Sequence, residues 1–163
     1  MAQTNVLVVE DESIVSKDIQ HSLKKLGYNV VGAANTGENA VKLAAEYMPD
    51  IILMDIMLKG EMNGIEAAEA IRKETNIPVI FLTAYADEST LARAKVTQPY
   101  GYIIKPFKEI DIHTSIEMAL YKHKKEAEVL KERDLLYSLV ENKDSNRDIM
   151  FVKSNSRLVK LKT

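Results

Sequence analysis

The sequence contains no cysteine, and this absence excludes several classes of protein. A disulfide framework, a thiolate metal site and a cysteine nucleophile all need that residue. The chain also has no apolar run long enough to cross a membrane, and its first residues, 1–4, lack the basic and apolar regions of a secretory signal. We therefore expect a cytoplasmic protein that does not engage the membrane.

The charge balance is close to neutral, which removes another group of functions. The 163 residues carry a net charge of -2, so nothing global favours nucleic acid or an anionic membrane as partner. No glycine-rich phosphate loop is present, which argues against an NTPase. Hydrophobic residues make up 46% of the chain, enough for one packed domain with an appendage.

Five short apolar runs alternate with helical patterns, which is typical of an α/β fold. The predicted strands are 5–9, 29–34, 51–54, 78–82 and 100–104. Helical spacing predicts helices over 13–26, 36–48, 65–73 and 87–96 and from about 108 onward, and in the first of them Ile14, Ile19, Leu23 and Leu26 are expected to face inward. The sequence therefore predicts a doubly wound, five-stranded parallel sheet in the order 2-1-3-4-5.

Polar residues follow four of these strands. Glu10 and Asp11 follow the first strand, Asp55 the third, Thr83 the fourth and Lys105 the fifth. In the predicted strand order these four strands are neighbours, so the side chains are expected to meet at one edge of the sheet. Singly, each also fits an ordinary role: a helix cap, a turn residue or a solvated lysine. Agreement of four strand ends favours a site.

The chemistry of this group indicates a metal and a phosphoryl group. Neighbouring carboxylates repel one another unless a cation is present, and hard oxygen ligands favour Mg²⁺ or Mn²⁺ over zinc. With a metal bound, Asp55 is a carboxylate that can attack phosphorus, because aspartyl phosphate is an established type of covalent intermediate. Lys105 and the Thr83 hydroxyl add the charge neutralisation that phosphoryl transfer needs.

The fifth helix continues beyond the size of such a domain. From 109 to about 141 the sequence has neither glycine nor proline, and spacings of four and three residues define a heptad seam: Ile116, Leu120, His123, Ala127, Leu130, Asp134 and Tyr137. We interpret it as a short dimeric coiled coil; the alternative is a solvated helix packed partly on its own domain. Residues 142–146 are predicted to break the helix, and 149–153 and 158–162 to pair as a β-hairpin.

Four sequence motifs resemble the signature of two-component response regulator receiver domains, the CheY-like family, over about residues 5–123. These motifs are Val8-Val9-Glu10-Asp11-Glu12, Met54-Asp55-Ile56-Met57-Leu58, Leu82-Thr83-Ala84 and Ile104-Lys105-Pro106-Phe107. The resemblance implies a flavodoxin-like and CheY-like fold. It also implies that the peptide before Pro106 is cis.

The resemblance implies specific roles for the site residues. Glu10, Asp11, Asp55 and the backbone carbonyl of Met57 are expected to bind Mg²⁺, and Asp55 to accept a phosphoryl group from a sensor histidine kinase. Lys105 is expected to pair with the phosphoryl oxygens. In this sequence Glu10 stands where the family more often has aspartate. The chain would then catalyse its own phosphorylation and dephosphorylation without being a conventional enzyme.

The same resemblance implies a switch. Thr83 and Tyr102 occupy the switch positions, and the small Ala84 leaves access to the site. Phosphorylation is expected to remodel the surface formed by the fourth helix, the fifth strand and the fifth helix. That surface and the long C-terminal helix would control homodimerisation and an output, expected to be transcription.

Three segments are expected in the chain. Residues 1–123 form the receiver, 124–141 a helical linker, and 142–163 a hairpin that resembles the opening of LytTR-type DNA-binding domains. On that interpretation the chain is truncated and DNA is a partner of a missing C-terminal domain.

Three other classes fit the sequence less well. A flavodoxin-like FMN protein would meet repulsion from Glu10, Asp11 and Glu12, and a haloacid-dehalogenase-type phosphatase would need an acid where Met57 stands. The remaining alternative is a receiver-like interaction module that works without phosphate.

Overall fold

The computed structural model describes residues 3–84 and 88–146. The chain divides into two units, Met1–His123 and Lys124–Thr163. None of the described helices has the length and apolar character needed to span a membrane. The predicted hairpin of residues 149–162 lies outside the described residues.

The first unit contains a five-stranded sheet whose strands all run parallel. The strands are β1 Asn5–Val9, β2 Asn29–Ala34, β3 Ile51–Asp55, β4 Val79–Thr83 and β5 Gly101–Ile104. Their order is β2-β1-β3-β4-β5, which confirms the predicted topology. The connection from β1 leads to β2 on one side of β1, whereas β3 lies on its other side. In sheets of this kind, ligands bind in the crevice at the carboxyl ends of the two strands where the order changes, here β1 and β3.

The helices follow the strands as predicted. They are α1 Ser13–Lys25, α2 Gly37–Tyr47, α3 Gly64–Glu74, α4 Glu88–Val96 and α5 Glu109–Asn146. Ile19 and Leu23 of α1 are buried, whereas Ile14 is 82% exposed, so its predicted inward position is wrong. Val15, four residues before Ile19, packs on the core instead, because a spacing of four keeps residues on one helix face and a spacing of five does not.

Two apolar layers cover the two faces of the sheet. Successive strand residues point to opposite faces, so Leu7 and Val9 join the layer under α2, α3 and α4, while Val6 and Val8 join the layer under α1 and α5. Burial on both faces explains why these strands are uninterrupted apolar runs. Charged side chains are therefore confined to the ends of the strands.

The long C-terminal helix extends further than the sequence predicts. It continues to Asn146, so the predicted break at residues 142–146 is wrong. Those residues, Asn142-Lys143-Asp144-Ser145-Asn146, are polar but include neither proline nor glycine. Polar residues lower helix propensity by only a few tenths of a kcal/mol each, whereas a strong stop requires proline or glycine.

Candidate functional site

Four strand ends bring polar side chains together at the carboxyl edge of the sheet. Glu10 follows β1, Asp55 ends β3, Thr83 ends β4 and Lys105 follows β5. Glu10, Asp55 and Thr83 are almost completely buried. The backbone of β5 is fixed beside that of β4, because the Lys105 N–H donates to the Thr83 carbonyl at 2.7 Å. The residues selected from the sequence therefore lie at the same edge.

Three carboxylates form a cluster at this edge. Glu10, Asp11 and Asp55 each offer an oxygen, and these oxygens lie within 4.8 Å of one another. Hard oxygen donors without histidine or cysteine suit Mg²⁺ or Mn²⁺. Such spacing would suffer strong repulsion in the absence of positive charge. The donor set therefore fits a divalent cation.

Lys105 bridges two of the carboxylates. Its Nζ donates to Glu10 Oε1 at 2.9 Å and contacts Asp55 Oδ2 at 3.4 Å. The Lys105 side chain is 18% exposed, so this ammonium group is largely shielded from water. When all are ionised, three carboxylates and one ammonium leave two negative charges unbalanced. That is the charge that one divalent cation carries.

The buried charges shift the pKa values of Glu10 and Lys105. Burial raises the pKa of Glu10, the hydrogen bond from Lys105 lowers it, and the neighbouring Asp55 raises it again, so that the pKa lies above its ordinary value. Burial lowers the pKa of Lys105, but the hydrogen bond to Glu10 and the negative charges of Asp55 and Glu10 raise it above its ordinary value. Lys105 is therefore held as a cation.

Backbone N–H groups orient the same carboxylates. The Met57 N–H donates to Asp55 Oδ1 at 3.0 Å, the Lys59 N–H donates to Asp11 Oδ2 at 3.0 Å, and the Glu12 N–H donates to Glu10 Oε2 at 3.2 Å. Two of these donors belong to the loop between β3 and α3. That loop thus connects the first and third strand ends and places the backbone of Met57 beside Asp55.

Gly64, the first residue of α3, is a site-positioning residue that the sequence reasoning did not single out. A Cβ atom here would collide with the Asp55 carbonyl oxygen and lie 2.9 Å from both the Asp55 carbonyl carbon and Ile56 Cα. The Gly64 N–H also donates to the Ile56 carbonyl at 3.0 Å. The helix start is fixed further by a capping box between Asn63 and Glu66. The backbone of Asp55 therefore depends on the absence of a side chain at position 64.

Tyr102 lies on β5 and packs towards the core. Its ring is 6.1 Å from the ring of Phe81, and its hydroxyl is shielded from solvent with no hydrogen-bond partner among the described residues. Burial raises the pKa of Tyr102. A buried hydroxyl without a hydrogen-bond partner costs about 1–3 kcal/mol of stability.

The remaining features concern the ends of β4 and β5 and the groove beside β5. Ala84, the small residue expected to leave access to the site, follows β4 and is exposed. The peptide between Lys105 and Pro106 is cis, which confirms the expectation for this bond. Beside β5 lies a groove of about 380 Å³, lined by Tyr102, Ile103, Ile104, Asp111, Thr114 and Ser115.

Comparison with protein families gives one match that covers most of the chain. The response regulator receiver domain model matches residues 6–117. Transcriptional regulatory protein PdtaR of Mycobacterium tuberculosis is 35% identical over 115 residues, which are 71% of this chain and 56% of that protein. The phyllosphere-induced regulator PhyR of Methylorubrum extorquens is 35% identical over 119 residues, 72% of this chain and 44% of that protein. The chain spans about half the length of these curated relatives.

Solved structures agree with the fold. The signal receiver domain of a modulated diguanylate cyclase from Desulfovibrio desulfuricans G20 is 42% identical, with a TM-score of 0.74 over 77% of this chain and 99% of that one. The N-terminal domain of a response regulator/sensory box/GGDEF protein from Carboxydothermus hydrogenoformans is 38% identical, with a TM-score of 0.70 over 76% of this chain and 99% of that one.

Proposed function

The chain belongs to the response regulator receiver family, and on that premise we propose that Asp55 accepts a phosphoryl group from a sensor histidine kinase. The observation that carries the proposal is the placement of Asp55: a buried carboxylate that is hydrogen-bonded by the Met57 N–H and contacted by Lys105, beside two further carboxylates. A buried acid in such surroundings needs a charged ligand to offset its cost. A phosphoryl group with its metal meets that need.

The proposed reaction is an in-line exchange of one bond for another. An oxygen of Asp55 forms the new bond to phosphorus as the bond between phosphorus and the kinase histidine nitrogen breaks, and the electron pair leaves with that nitrogen. Lys105, already a cation, would move from Glu10 and Asp55 to the phosphoryl oxygens. The backbone N–H of Met57 holds the other Asp55 oxygen in place. The reaction thus needs positioning and charge neutralisation more than a strong base.

Mg²⁺ or Mn²⁺ is part of the proposal. Receiver domains bind Mg²⁺ at an acidic pocket, and here Glu10, Asp11, Asp55 and the Met57 carbonyl would hold it. When bound, the ion neutralises charge on the transferring phosphoryl group. Later attack by water on the aspartyl phosphate returns the carboxylate, so the chain would catalyse both steps at Asp55.

We propose that the phosphoryl group acts through Thr83 and Tyr102. It adds about 1.5 to 2 negative charges at neutral pH. The Thr83 hydroxyl would move towards it, and Tyr102 would change its packing beside Phe81. The Tyr102 hydroxyl has no hydrogen-bond partner in the described part of the chain, which supports a side chain with more than one acceptable position. Couplings of this kind are typically about 1–3 kcal/mol.

The output is proposed to pass through the surface of α4, β5 and α5. Ile104 on β5 and Met118 on α5 are 59% and 68% exposed, and the groove beside β5 belongs to the same surface. Apolar groups at this surface support homodimerisation that changes with phosphorylation. Control of transcription, with DNA bound by a further domain, is the proposed output, and the names of the relatives PdtaR and PhyR support regulation.

The test is intact mass after incubation with a small acyl phosphate. We expect one added phosphoryl group in the presence of Mg²⁺, none when Mg²⁺ is chelated, and none in Asp55→Asn. A protein that takes up no phosphoryl group from any donor, while still folded, would contradict the proposal and favour a receiver-like module that binds partners without phosphate.

A further inference from the structure

The part of α5 beyond His123 carries many exposed apolar side chains. Seven large ones are between 47% and 64% exposed: Val129, Leu130, Leu135, Leu136, Tyr137, Leu139 and Val140. Seven such residues within twelve positions are too many for a solvated helix. Most of the stability of a helix in water comes from packing of its apolar face, so this segment requires a partner.

The seam predicted from the sequence is already occupied in its first half. Ile116 is fully buried and Leu120 packs on the apolar layer under α5. The His123 Nε2–H donates to the Asn76 carbonyl at 2.7 Å, and the His123 ring meets the edge of Tyr100 at 5.6 Å. Leu130 and Tyr137 follow His123 at intervals of seven residues. By helical spacing they therefore lie on the same stripe of α5 as His123.

A different seam gathers more of the exposed apolar residues. Positions 129, 132, 136 and 139 alternate at spacings of three and four, as the core positions of a coiled coil do. Positions 128 and 135 flank this seam on one side and 133 and 140 on the other. Five of the seven exposed residues fall within it or on its flanks: Val129, Leu135, Leu136, Leu139 and Val140.

We propose that this second seam pairs with the same seam of a second copy of the chain, in parallel and in register. In a parallel pair the flank at 128 lies beside 133 of the partner helix, and 135 lies beside 140. Glu128 thereby meets an arginine and Leu135 meets a valine. In an antiparallel pair, the flank that contains 128 and 135 would lie beside the same flank of the partner helix. Glu128 would then not meet Arg133. The match of charge with charge and apolar with apolar selects the parallel arrangement.

One seam residue works against the dimer. Glu132 occupies a core position, where the two copies place like charges close together. A polar core residue lowers stability while it fixes register. The inferred dimer is therefore weak enough to respond to another contact. This inference deepens the proposed homodimer and rests on dimerisation through α5, not on phosphorylation of Asp55.

The absence of cysteine makes the test direct. Single substitutions Val129→Cys and Leu136→Cys, in the full chain, place thiols on the second seam, and Leu130→Cys and Tyr137→Cys place them on the first. A disulfide needs Cα atoms within about 7 Å, so mild oxidation should yield cross-linked dimer as the major species for 129 and 136 and a minor one for 130 and 137. Equal or greater cross-linking at 130 and 137 would overturn the proposal.

Charge exchange tests the orientation. Glu128→Arg should shift the monomer–dimer equilibrium towards monomer in sedimentation experiments, and adding Arg133→Glu should restore it. Glu132→Leu should favour the dimer. Failure of the double variant to recover would overturn the parallel register. If the protein is monomeric and the cysteines at 129 and 136 still resist a thiol reagent, the seam is not covered by a second copy. Residues 147–163 of the same chain would then be the candidate for covering it.

Measuring phosphoryl uptake of the same variants separates this inference from the proposed function. Cross-linking at 129 and 136 without phosphoryl uptake would contradict the phosphoacceptor role alone. Uptake without cross-linking would overturn the seam alone.

Discussion

The carboxyl and amino edges of the sheet differ in how far their polar groups are paired. At the carboxyl edge, Lys105 pairs with Glu10 and Asp55, Asp11 lies beside them, and negative charge remains unbalanced. At the amino edge, polar groups that range from buried to exposed form hydrogen bonds with one another. The first arrangement costs stability unless a cation binds, whereas the second contributes to stability as it stands.

At the amino edge, hydrogen bonds connect α5 to Tyr28, the residue just before β2. The buried Tyr28 hydroxyl donates to Glu117 Oε2 at 2.6 Å. Because a hydroxyl has one proton, the His113 Nδ1–H must be the donor in the 3.1 Å contact with the same oxygen. Asp50 similarly accepts from the Asn5 N–H at 2.7 Å. Every donor in this group has an acceptor.

The difference teaches where function lies in the sheet. Both edges carry acids, so composition alone does not separate them. Proteins violate the rules of charge pairing mainly where function requires it. The carboxyl edge breaks those rules, as expected of a binding site. The amino edge keeps them, as expected of contacts that only stabilise the fold.

Removing Lys105, the lysine that pairs with Glu10 and Asp55, should have the largest effect on stability. Breaking a buried ion pair by removing one partner costs about 3–5 kcal/mol, and partial exposure of Lys105 favours the low end, about 3 kcal/mol, for Lys105→Met. Urea unfolding at pH 7 without Mg²⁺ measures it.

The matched control is Lys108→Met, since Lys108 is exposed. It should change the free energy of unfolding by less than about 0.5 kcal/mol. Adding Mg²⁺ should recover part of the loss in Lys105→Met, because the ion supplies positive charge. Equal stability of the two variants would show that the carboxyl edge does not depend on Lys105.

Gly64→Ala should have a smaller effect that is specific to the Asp55 backbone. The new methyl group forces α3 and Asp55 apart, and overpacking typically costs about 1–3 kcal/mol. Phosphoryl uptake should also slow, because the carboxylate moves with its backbone. Chemical denaturation and the rate of mass increase give the two readouts.

Gly101→Ala serves as the comparison for that change. A Cβ at position 101 meets nothing within 4 Å, so we expect no loss and a gain of up to about 1 kcal/mol from reduced freedom of the unfolded chain. If Gly64→Ala and Gly101→Ala have the same free energy of unfolding and the same rate of phosphoryl uptake, the close approach of Gly64 to the Asp55 backbone does not position the site.

Tyr28→Phe should have the smallest effect and should act at the amino edge alone. Loss of a hydrogen bond to a charged group costs about 1–2 kcal/mol in the free energy of unfolding, while phosphoryl uptake should not change. Tyr47→Phe, on a half-exposed ring, is the control.

This prediction has a defined pH dependence. Burial and the negative charge of Glu117 raise the pKa of Tyr28, so the folded state favours the protonated hydroxyl. The stability it contributes is present below the unfolded pKa of about 10 and is lost as pH rises above that value. The difference between the native protein and Tyr28→Phe should therefore stay constant from pH 7 to 9 and narrow above pH 10. A constant difference across the whole range would contradict it.

The sequence predicts the carboxyl edge better than the amino edge, for a physical reason. Buried parallel strands are continuous apolar runs, so an acid such as Asp55 at the end of a run stands out. Strand order then brings such acids together. At the amino edge, Tyr28 is 85 residues from His113 and 89 residues from Glu117 along the chain. In its own segment, each of the three fits an ordinary surface position.

Features that depend on packing could not be predicted from spacing. The role of Gly64 comes from the distance between α3 and Asp55, which no local pattern reveals. Ile14 is different, because spacing does separate it from the core: Ile14 lies five positions before Ile19, but Val15 lies only four before it. Only the role of Gly64 therefore needed the packed structure.

The most direct test is to locate the phosphoryl group after treatment with a small acyl phosphate and Mg²⁺. Borohydride converts an aspartyl phosphate into homoserine, and fragmentation of the peptides identifies the residue. We expect conversion at Asp55 and at no other acid, including Glu10 and Asp11 in the same cluster. Conversion at another residue, or none in protein that remains folded with Mg²⁺, would contradict the assignment of the carboxyl edge as a phosphoacceptor site.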